Sequence, residues 1–218
     1  MNDTGWETIY ARGEQLNRYP FSEVVSFFFR NREERPDNTP TALDVGCGSG
    51  IHSGFLADHG FQVLGIDASE AAIVAARSTH RHASIQFSQT RFDDFDAGDR
   101  KFDIVVDRCS TTHSTVLITE RFYERLQSWL NPGARIFWQG FAWGNSGRKL
   151  GSEMDDGSWS DFSGGVFAPL GRTAFFKEDD IRRIFKKYQL RSLRHLSDCD
   201  VDTEYDHSSW IVEASFDE

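Results

Sequence analysis

The feature that most constrains this chain is a seven-residue loop, Asp44-Val45-Gly46-Cys47-Gly48-Ser49-Gly50, set between two differently patterned segments. Thr41 to Val45 has the character of a short buried strand. From Ile51 the spacing is helical, through Phe55 and Leu56 to Gly60. Glycines at alternate positions let the backbone turn sharply between the two and leave the main chain bare of Cβ atoms, so a ligand can approach it. The spacing also excludes two ligand classes. A dinucleotide fingerprint needs its third glycine at position 51, which is Ile51, and the Gly-Lys-Ser/Thr of a phosphate loop is absent. Such a loop suits a ligand that is not held through a pyrophosphate.

The rest of the pattern supplies the frame. The first forty residues read as helical, broken at Pro20, and a charged, proline-bounded linker follows from 32 to 40. Gln62 to Ile66 reads as a second strand ending at Asp67, after which Ser69 caps a helix carrying Ala71, Ala72, Val74 and Ala75. Ser84 to Gln89 is a third strand. Phe102 to Val106 is a fourth, with so few polar interruptions that it belongs in the middle of a sheet. A helix over 120–130, a turn at Asn131-Pro132-Gly133 and a fifth strand over 135–138 come next. A helix over 178–188 and strands over 190–196 and 209–214 complete the chain. Alternating strands and helices predict an α/β fold: a doubly wound, mostly parallel sheet whose ligands bind beyond the carboxyl ends of the strands. One domain over 1–218 is expected, with a helical segment at 1–38 and a lid at 140–172.

Two acidic residues share the strand ends with the glycine loop. A carboxylate at Asp67 can accept hydrogen bonds from both hydroxyls of a ribose, and Asp44 can orient the loop or meet an ammonium group. Ala42 to Gly50 resembles the first motif of the class I S-adenosylmethionine-dependent methyltransferases, and Val63 to Ser69 their second. Phe102 to Arg108 is similar to their fourth-strand signature, and Leu130 to Gly133 to their strand-five turn. The resemblance implies a seven-stranded Rossmann-like sheet whose last strand, 209–214, runs antiparallel to the others. It implies S-adenosylmethionine as cofactor, with Gly46 and Gly48 along the methionine part, Asp67 on the ribose and Ala68 against the adenine. The family often places an acid after strand three. This chain has Arg91 there, followed by Phe92, so the adenine is held by the Phe92 amide with Arg91 pointing elsewhere, or by Asp93. The N-terminal stretch from Trp6 to Gly13, with Asn17 to Pro20, also resembles a subset of small bacterial enzymes of this type. It is either a lid whose Tyr10 and Arg12 meet the cofactor carboxylate, or an aromatic cover that only packs.

A sulfonium methyl is already activated, so methyl transfer asks for alignment and exclusion of water, plus a general base if the acceptor is a hydroxyl. His113, beyond Asp107 in the loop after strand four, is the candidate base; otherwise it caps the next helix or stacks on the cofactor. Asp107 contacts the cofactor or orients that loop. His52 reads as structural or near the cofactor tail, and Cys109 as a small buried residue without a partner base. Eight of the 18 glycines fall between Gly140 and Gly171, with Phe141, Trp143, Trp159, Phe162 and Phe167, a composition that fits a mobile lid over the acceptor. Arg172 behind it pairs with an acidic substrate group, or with Asp179 or Asp180.

Composition bounds the partners. A formal charge of −10 disfavours nucleic acid. The basic cluster Arg182, Arg183, Lys186 and Lys187 reads as one solvent-facing helix side. The acidic stretch 198–206 reads as a solvated loop. No apolar run approaches a membrane span, the N-terminus lacks the pattern of a secretion signal, and three scattered cysteines make neither a disulfide framework nor a zinc site. A cytoplasmic methyltransferase acting on a small molecule, a metabolite or sugar hydroxyl, is expected. A protein or RNA acceptor, and a binding protein without turnover, are the alternatives.

Overall fold

The computed structural model describes residues 4–32, 39–203 and 205–217. Its strands are β1 (Thr41–Val45), β2 (Gln62–Asp67), β3 (Ile85–Gln89), β4 (Phe102–Arg108) and β5 (Leu130–Phe141), then a small hairpin of β6 (Ser152–Glu153) and β7 (Trp159–Ser160), and finally β8 (Gln189–Leu196) and β9 (Ser209–Phe216). Its helices are α1 (Thr4–Ala11), α2 (Ser22–Asn31), α3 (Ile51–Asp58), α4 (Glu70–Thr79), α5 (Val116–Leu126) and α6 (Glu178–Ile184). Seven strands form one sheet in the order β3-β2-β1-β4-β5-β9-β8. Only β9 runs against the rest, antiparallel to both β5 and β8. The strand order reverses between β1 and β4, and there the crevice opens.

Two-residue alternation divides the core between the faces of the sheet. Val105, Ile136 and Trp138 point toward α5 and α6, where they meet Phe122, Tyr123, Leu126, Ile181 and Phe185. Ile104, Val106 and Phe137 point the other way, onto Val24, Phe27 and Phe28 of α2 and Leu56 of α3. β4 is buried from Phe102 to Asp107, as its apolar sequence requires of a strand covered on both faces. Ser69 caps α4 as expected, its Oγ accepting from the Ala72 N–H at 3.0 Å.

Element boundaries differ from the sequence expectation in several places. The N-terminal helical stretch is two helices separated by an irregular passage around Gly13, whose φ is +73°. The linker expected over 32–40 lies largely outside the described residues. α5 begins at Val116 rather than 120 because Thr115 is its cap, accepting from the Ile118 N–H at 3.1 Å. It gives way to a short 3-10 turn at 127–129, so Leu130 starts β5 instead of ending the helix. Asn131-Pro132-Gly133 is then a bulge inside β5, absorbed where the β4 register jumps between Phe102 and Ile104. α6 stops at Ile184, and the turn beyond it still buries Phe185 and Tyr188. The basic side of α6 does not simply face solvent: Arg183 pairs with Glu120 at 2.9 Å, and Lys186 approaches Glu120 and Glu124 of α5.

Phe137 is fully buried with its ring 5.5 Å from that of Phe27, so it fastens α2 to the centre of the sheet. Phe137→Ala is expected to lower stability by about 3–5 kcal/mol, the usual cost of an aromatic cavity. Urea unfolding followed by circular dichroism measures it, and a loss under ~1 kcal/mol contradicts the packing described.

Candidate active site

Three carboxylates stand at the ends of three strands beside the crevice. Asp67 closes β2, its Oδ2 accepting from the Gly48 N–H and its Oδ1 from the Ser69 N–H, both at 2.9 Å. Asp44 on β1 is 1% exposed and accepts from Ser53 Oγ at 2.6 Å. Burial pushes its carboxyl up to about 7, with Asp67 and Asp107 adding repulsion against the Ser53 hydrogen bonds. Asp107 on β4 is fully buried and accepts from the Ser110 N–H (3.0 Å), Thr111 Oγ1 (2.7 Å) and Tyr123 Oη (3.1 Å), with burial raising it to about 6. Its role is to fold the loop that follows, where Cys109 takes a left-handed φ of +57°. The Asp107 side chain does not line the cavity, so of the two roles open to it the geometry supports the orienting one.

The glycine loop is shaped for close contact. Gly46 and Gly48 have φ of +64° and +53°, and a Cβ on either would strike the side chain of Ser110 or the hydroxyl of Tyr10, respectively. Tyr10 arrives from α1, which lies over the strand ends. Glu7 pins that helix to the N-terminus of α4, its Oε2 accepting from Ser69 Oγ at 2.7 Å and from the Ala71 N–H at 3.3 Å. Such a contact also sets a negative charge at the positive end of α4. Ile9 joins Phe162, Phe167, Leu170 and Phe175 in an apolar cluster, which couples α1 to the segment after β5.

That segment is packed rather than loose. It holds the β6–β7 hairpin and a 3-10 turn at 146–150, and Arg148 lies over the rings of Trp143 and Trp159 at 4.1 and 4.8 Å. Phe167 and Phe162 fill the spaces where side chains at Gly147 and Gly151 would stand, so these two glycines serve close packing, not mobility. Arg172 pairs with Asp156 at 2.5 Å, not with Asp179 or Asp180.

Between the loop, α1 and this segment lies a cavity of about 250 Å³. Tyr10, Asp44, Gly46, Gly48, Asp67, Ala68, Arg91, Phe92 and His113 all line it, so the fold brings together most of the residues singled out from the sequence. Arg12 is exposed and stays outside. Arg91 is turned onto Asp93, with contacts of 3.0 and 2.8 Å, which leaves Phe92 facing the cavity beside it. His113 has an unpartnered, buried Nδ1, and burial lowers its pKa to about 4 against a hydrogen bond to the Arg172 backbone. Its ring meets Trp6 edge-on at 5.1 Å and Phe141 at 6.0 Å. The indole Nε1 of Trp6 is likewise buried and unpartnered. Cys109 is held as a thiol by burial, with a pKa raised to about 11, and does not serve as a nucleophile.

Residues 42–133 match the family model described as a methyltransferase domain. These residues have the sequence of a methyltransferase domain. Among curated relatives, a ubiquinone biosynthesis O-methyltransferase of Nitrobacter winogradskyi is 32% identical over 111 residues, covering 47% of this chain and 41% of the relative. A ribosomal RNA small subunit methyltransferase C of Alcanivorax borkumensis is 31% identical over 99 residues, covering 44% and 30%. The matches thus span less than half the length of these relatives. In fold, the chain is similar to the N-methyltransferase NodS of Bradyrhizobium japonicum, solved with S-adenosyl-L-homocysteine, at a TM-score of 0.71 and 14% identity over 100% of this chain and 99% of that one.

Several residues of the cavity escaped the sequence reading. Trp6 and Leu170 look like ordinary apolar positions until α1 folds back over β1. Arg108, the residue after Asp107, lines the cavity with its guanidinium carbon 3.2 Å from the ring centroid of Phe21. Its position at the carboxyl end of β4 was the available signal. Among the described residues no helix is long and apolar enough to cross a membrane.

Removing the Glu7 contact tests how the cover of the domain is held. Glu7→Ala is expected to speed amide hydrogen exchange across residues 4–11 by ~3- to 30-fold, the range of a lost helix cap, while β1 and β4 stay protected. Unchanged exchange in α1 contradicts the anchoring role.

Proposed function

We propose that the protein transfers the methyl group of S-adenosylmethionine to a hydroxyl of a small-molecule acceptor, with His113 taking the hydroxyl proton. The observation that carries this reading is the pairing, at one end of the cavity, of an unpartnered acceptor, His113 Nδ1, with an unpartnered donor, Trp6 Nε1. Buried polar atoms are nearly always satisfied, so a vacant donor and a vacant acceptor on two neighbouring residues that line one cavity suit a group able to do both. A hydroxyl donates to His113, accepts from Trp6 and still keeps a lone pair for in-line attack. An amine has one lone pair, and using it for attack leaves the Trp6 N–H unsatisfied.

The remaining lining fits the cofactor. Asp67 accepts one backbone N–H on each oxygen at the mouth of the cavity, and a carboxylate is the acceptor that a ribose diol calls for. Ala68 and Phe92 offer an apolar slot for the adenine, Gly46 and Gly48 a bare backbone for the amino-acid arm, and Asp44 an anion for its ammonium. Burial keeps the Tyr10 phenol protonated, so it remains a hydrogen-bond donor at the glycine loop. When bound, the cofactor supplies an already activated methyl group. The chain's own tasks are to align the acceptor, keep water out beneath α1 and receive a proton at His113 Nδ1. With a pKa near 4, His113 is neutral at physiological pH and so free to accept. A charge of −10 and the covering of the cavity by α1 favour a small acceptor over RNA or protein.

Calorimetric titration with S-adenosylhomocysteine is expected to give micromolar binding that Asp67→Ala weakens at least ~30-fold, while NADH and ATP do not bind. Binding of NADH instead overturns the proposal. His113→Ala is expected to cut turnover at least ~100-fold, the low end of general-base effects, across a panel of hydroxyl-, amine- and thiol-bearing acceptors, with the affinity for S-adenosylhomocysteine unchanged. Undiminished turnover removes His113 from the mechanism. Asp44, protonated below about pH 7 in the free protein, must ionise to meet an ammonium group. Binding then releases a proton, so affinity should rise with pH up to about 7 and level off above it. Asp44→Asn should abolish that rise, and an affinity that falls over this range contradicts the assignment.

A further inference from the structure

Arg108 is a cation beside a cavity with no anion to answer it. Its Nε is buried without a hydrogen-bond partner, and among the described residues it forms no ion pair. The three carboxylates of the strand ends are engaged elsewhere: Asp44 with Ser53, Asp67 with the Gly48 and Ser69 amides, Asp107 with Ser110, Thr111 and Tyr123. Phe21 covers one face of the guanidinium, 3.2 Å below it, and strips it of water on that side. His52, the other lining residue here, accepts from the Phe21 N–H at 3.5 Å. Burial and the charge of Arg108 hold His52 neutral, with a pKa of about 3, so it brings no second cation.

Register fixes where this cation stands. Asp44 on β1 is aligned with Val106 on β4, and Arg108 lies two residues further along β4. The two-residue period of a strand therefore puts the Asp44 and Arg108 side chains on the same face of the sheet, on neighbouring strands. An anion from β1 and a cation from β4 flank the glycine loop together. Asp67, which opens the cavity on β2, is two strand spacings from Arg108, roughly 10 Å. The extended amino-acid arm of an S-adenosyl ligand, met by the long side chain of Arg108, bridges that interval.

We propose that Arg108 binds the α-carboxylate of the cofactor's amino-acid arm, and that Arg108 and Asp44 together read its zwitterion. The assignment rests on the cofactor proposed above and adds a residue to it. A planar guanidinium presents paired N–H donors that match a carboxylate, and with one face against Phe21 its remaining donors point along the ring plane. The apolar end of the cavity, with Trp6, His113, Phe141 and Leu170, is thereby left to the acceptor.

A double-mutant cycle between protein and ligand tests this directly. Wild type, Arg108→Met and Arg108→Lys are titrated calorimetrically with S-adenosylhomocysteine, its decarboxylated analogue and 5′-methylthioadenosine. In the wild type, S-adenosylhomocysteine is expected to bind ~10- to 100-fold more tightly than the decarboxylated analogue, the range of a charged hydrogen bond. In Arg108→Met the two should bind alike, and Arg108→Lys should keep part of the preference. Binding of 5′-methylthioadenosine, which lacks the amino-acid arm, should be the same in all three proteins and shows that each is folded with its nucleoside site intact. Equal loss of affinity for all three ligands, or an unchanged preference for the carboxylate in both variants, overturns the role of Arg108. Failure of every ligand to bind folded wild type instead overturns the cofactor assignment itself.

Discussion

Two hydrogen bonds from one carboxylate hold the site in shape. Asp67 receives the Gly48 and Ser69 amides at 2.9 Å each, and so ties the glycine loop after β1 to the start of the helix after β2. The left-handed glycines of that loop have few side-chain contacts of their own to fix them, and the tie to Asp67 sets their course across the strand ends. Ser69, positioned by the same carboxylate, caps α4 and donates to Glu7, which brings α1 down over the cavity. Ligand loop, flanking helix and cover thus hang from a single side chain. Asp44 and Asp107 are likewise satisfied by hydroxyls and amides instead of cations, so their carboxyls stay protonatable near neutral pH.

Much of the sheet could be read in the sequence because its strands are short apolar runs closed by acids. The β4 run from Phe102 to Val106 has few polar interruptions, and it is the strand buried on both faces. The glycine loop, Asp67 and the Ser69 cap follow from local chemistry, since a turn, a strand end and a helix start each demand particular residue types. What the sequence obscured depends on distant contacts. Thr115 starts α5 ahead of the expected Glu120, and the Asn131-Pro132-Gly133 turn became a bulge because β5 pairs with β4 on both sides of it, at Leu130 and again from Arg135.

The cavity lining divides the same way. Asp44, Gly46, Gly48, Asp67 and Ala68 lie within one βαβ unit and announce themselves by spacing. Arg108, Phe21 and Trp6 come from separate parts of the chain, and only the folding of α1 over the glycine loop and of α2 onto the sheet unites them. Glycine composition misled in the segment after β5. There Gly147 and Gly151 make room for Phe167 and Phe162, and the result is a packed wall of the cavity that also carries Leu170 to its edge. His113 draws its character from that wall: the Arg172 backbone engages it and Phe141 crowds it, so it is desolvated and neutral.

The central claim is that an S-adenosyl ligand lies between the glycine loop and α1, reaching from Asp67 toward the end of β4. Hydrogen exchange measured with and without saturating S-adenosylhomocysteine tests it most directly. The account predicts slowed exchange at 46–50, 67–69 and 4–11 together, because the ligand touches the first two segments and is covered by the third. Exchange at 46–50 that stays unchanged up to millimolar ligand contradicts it.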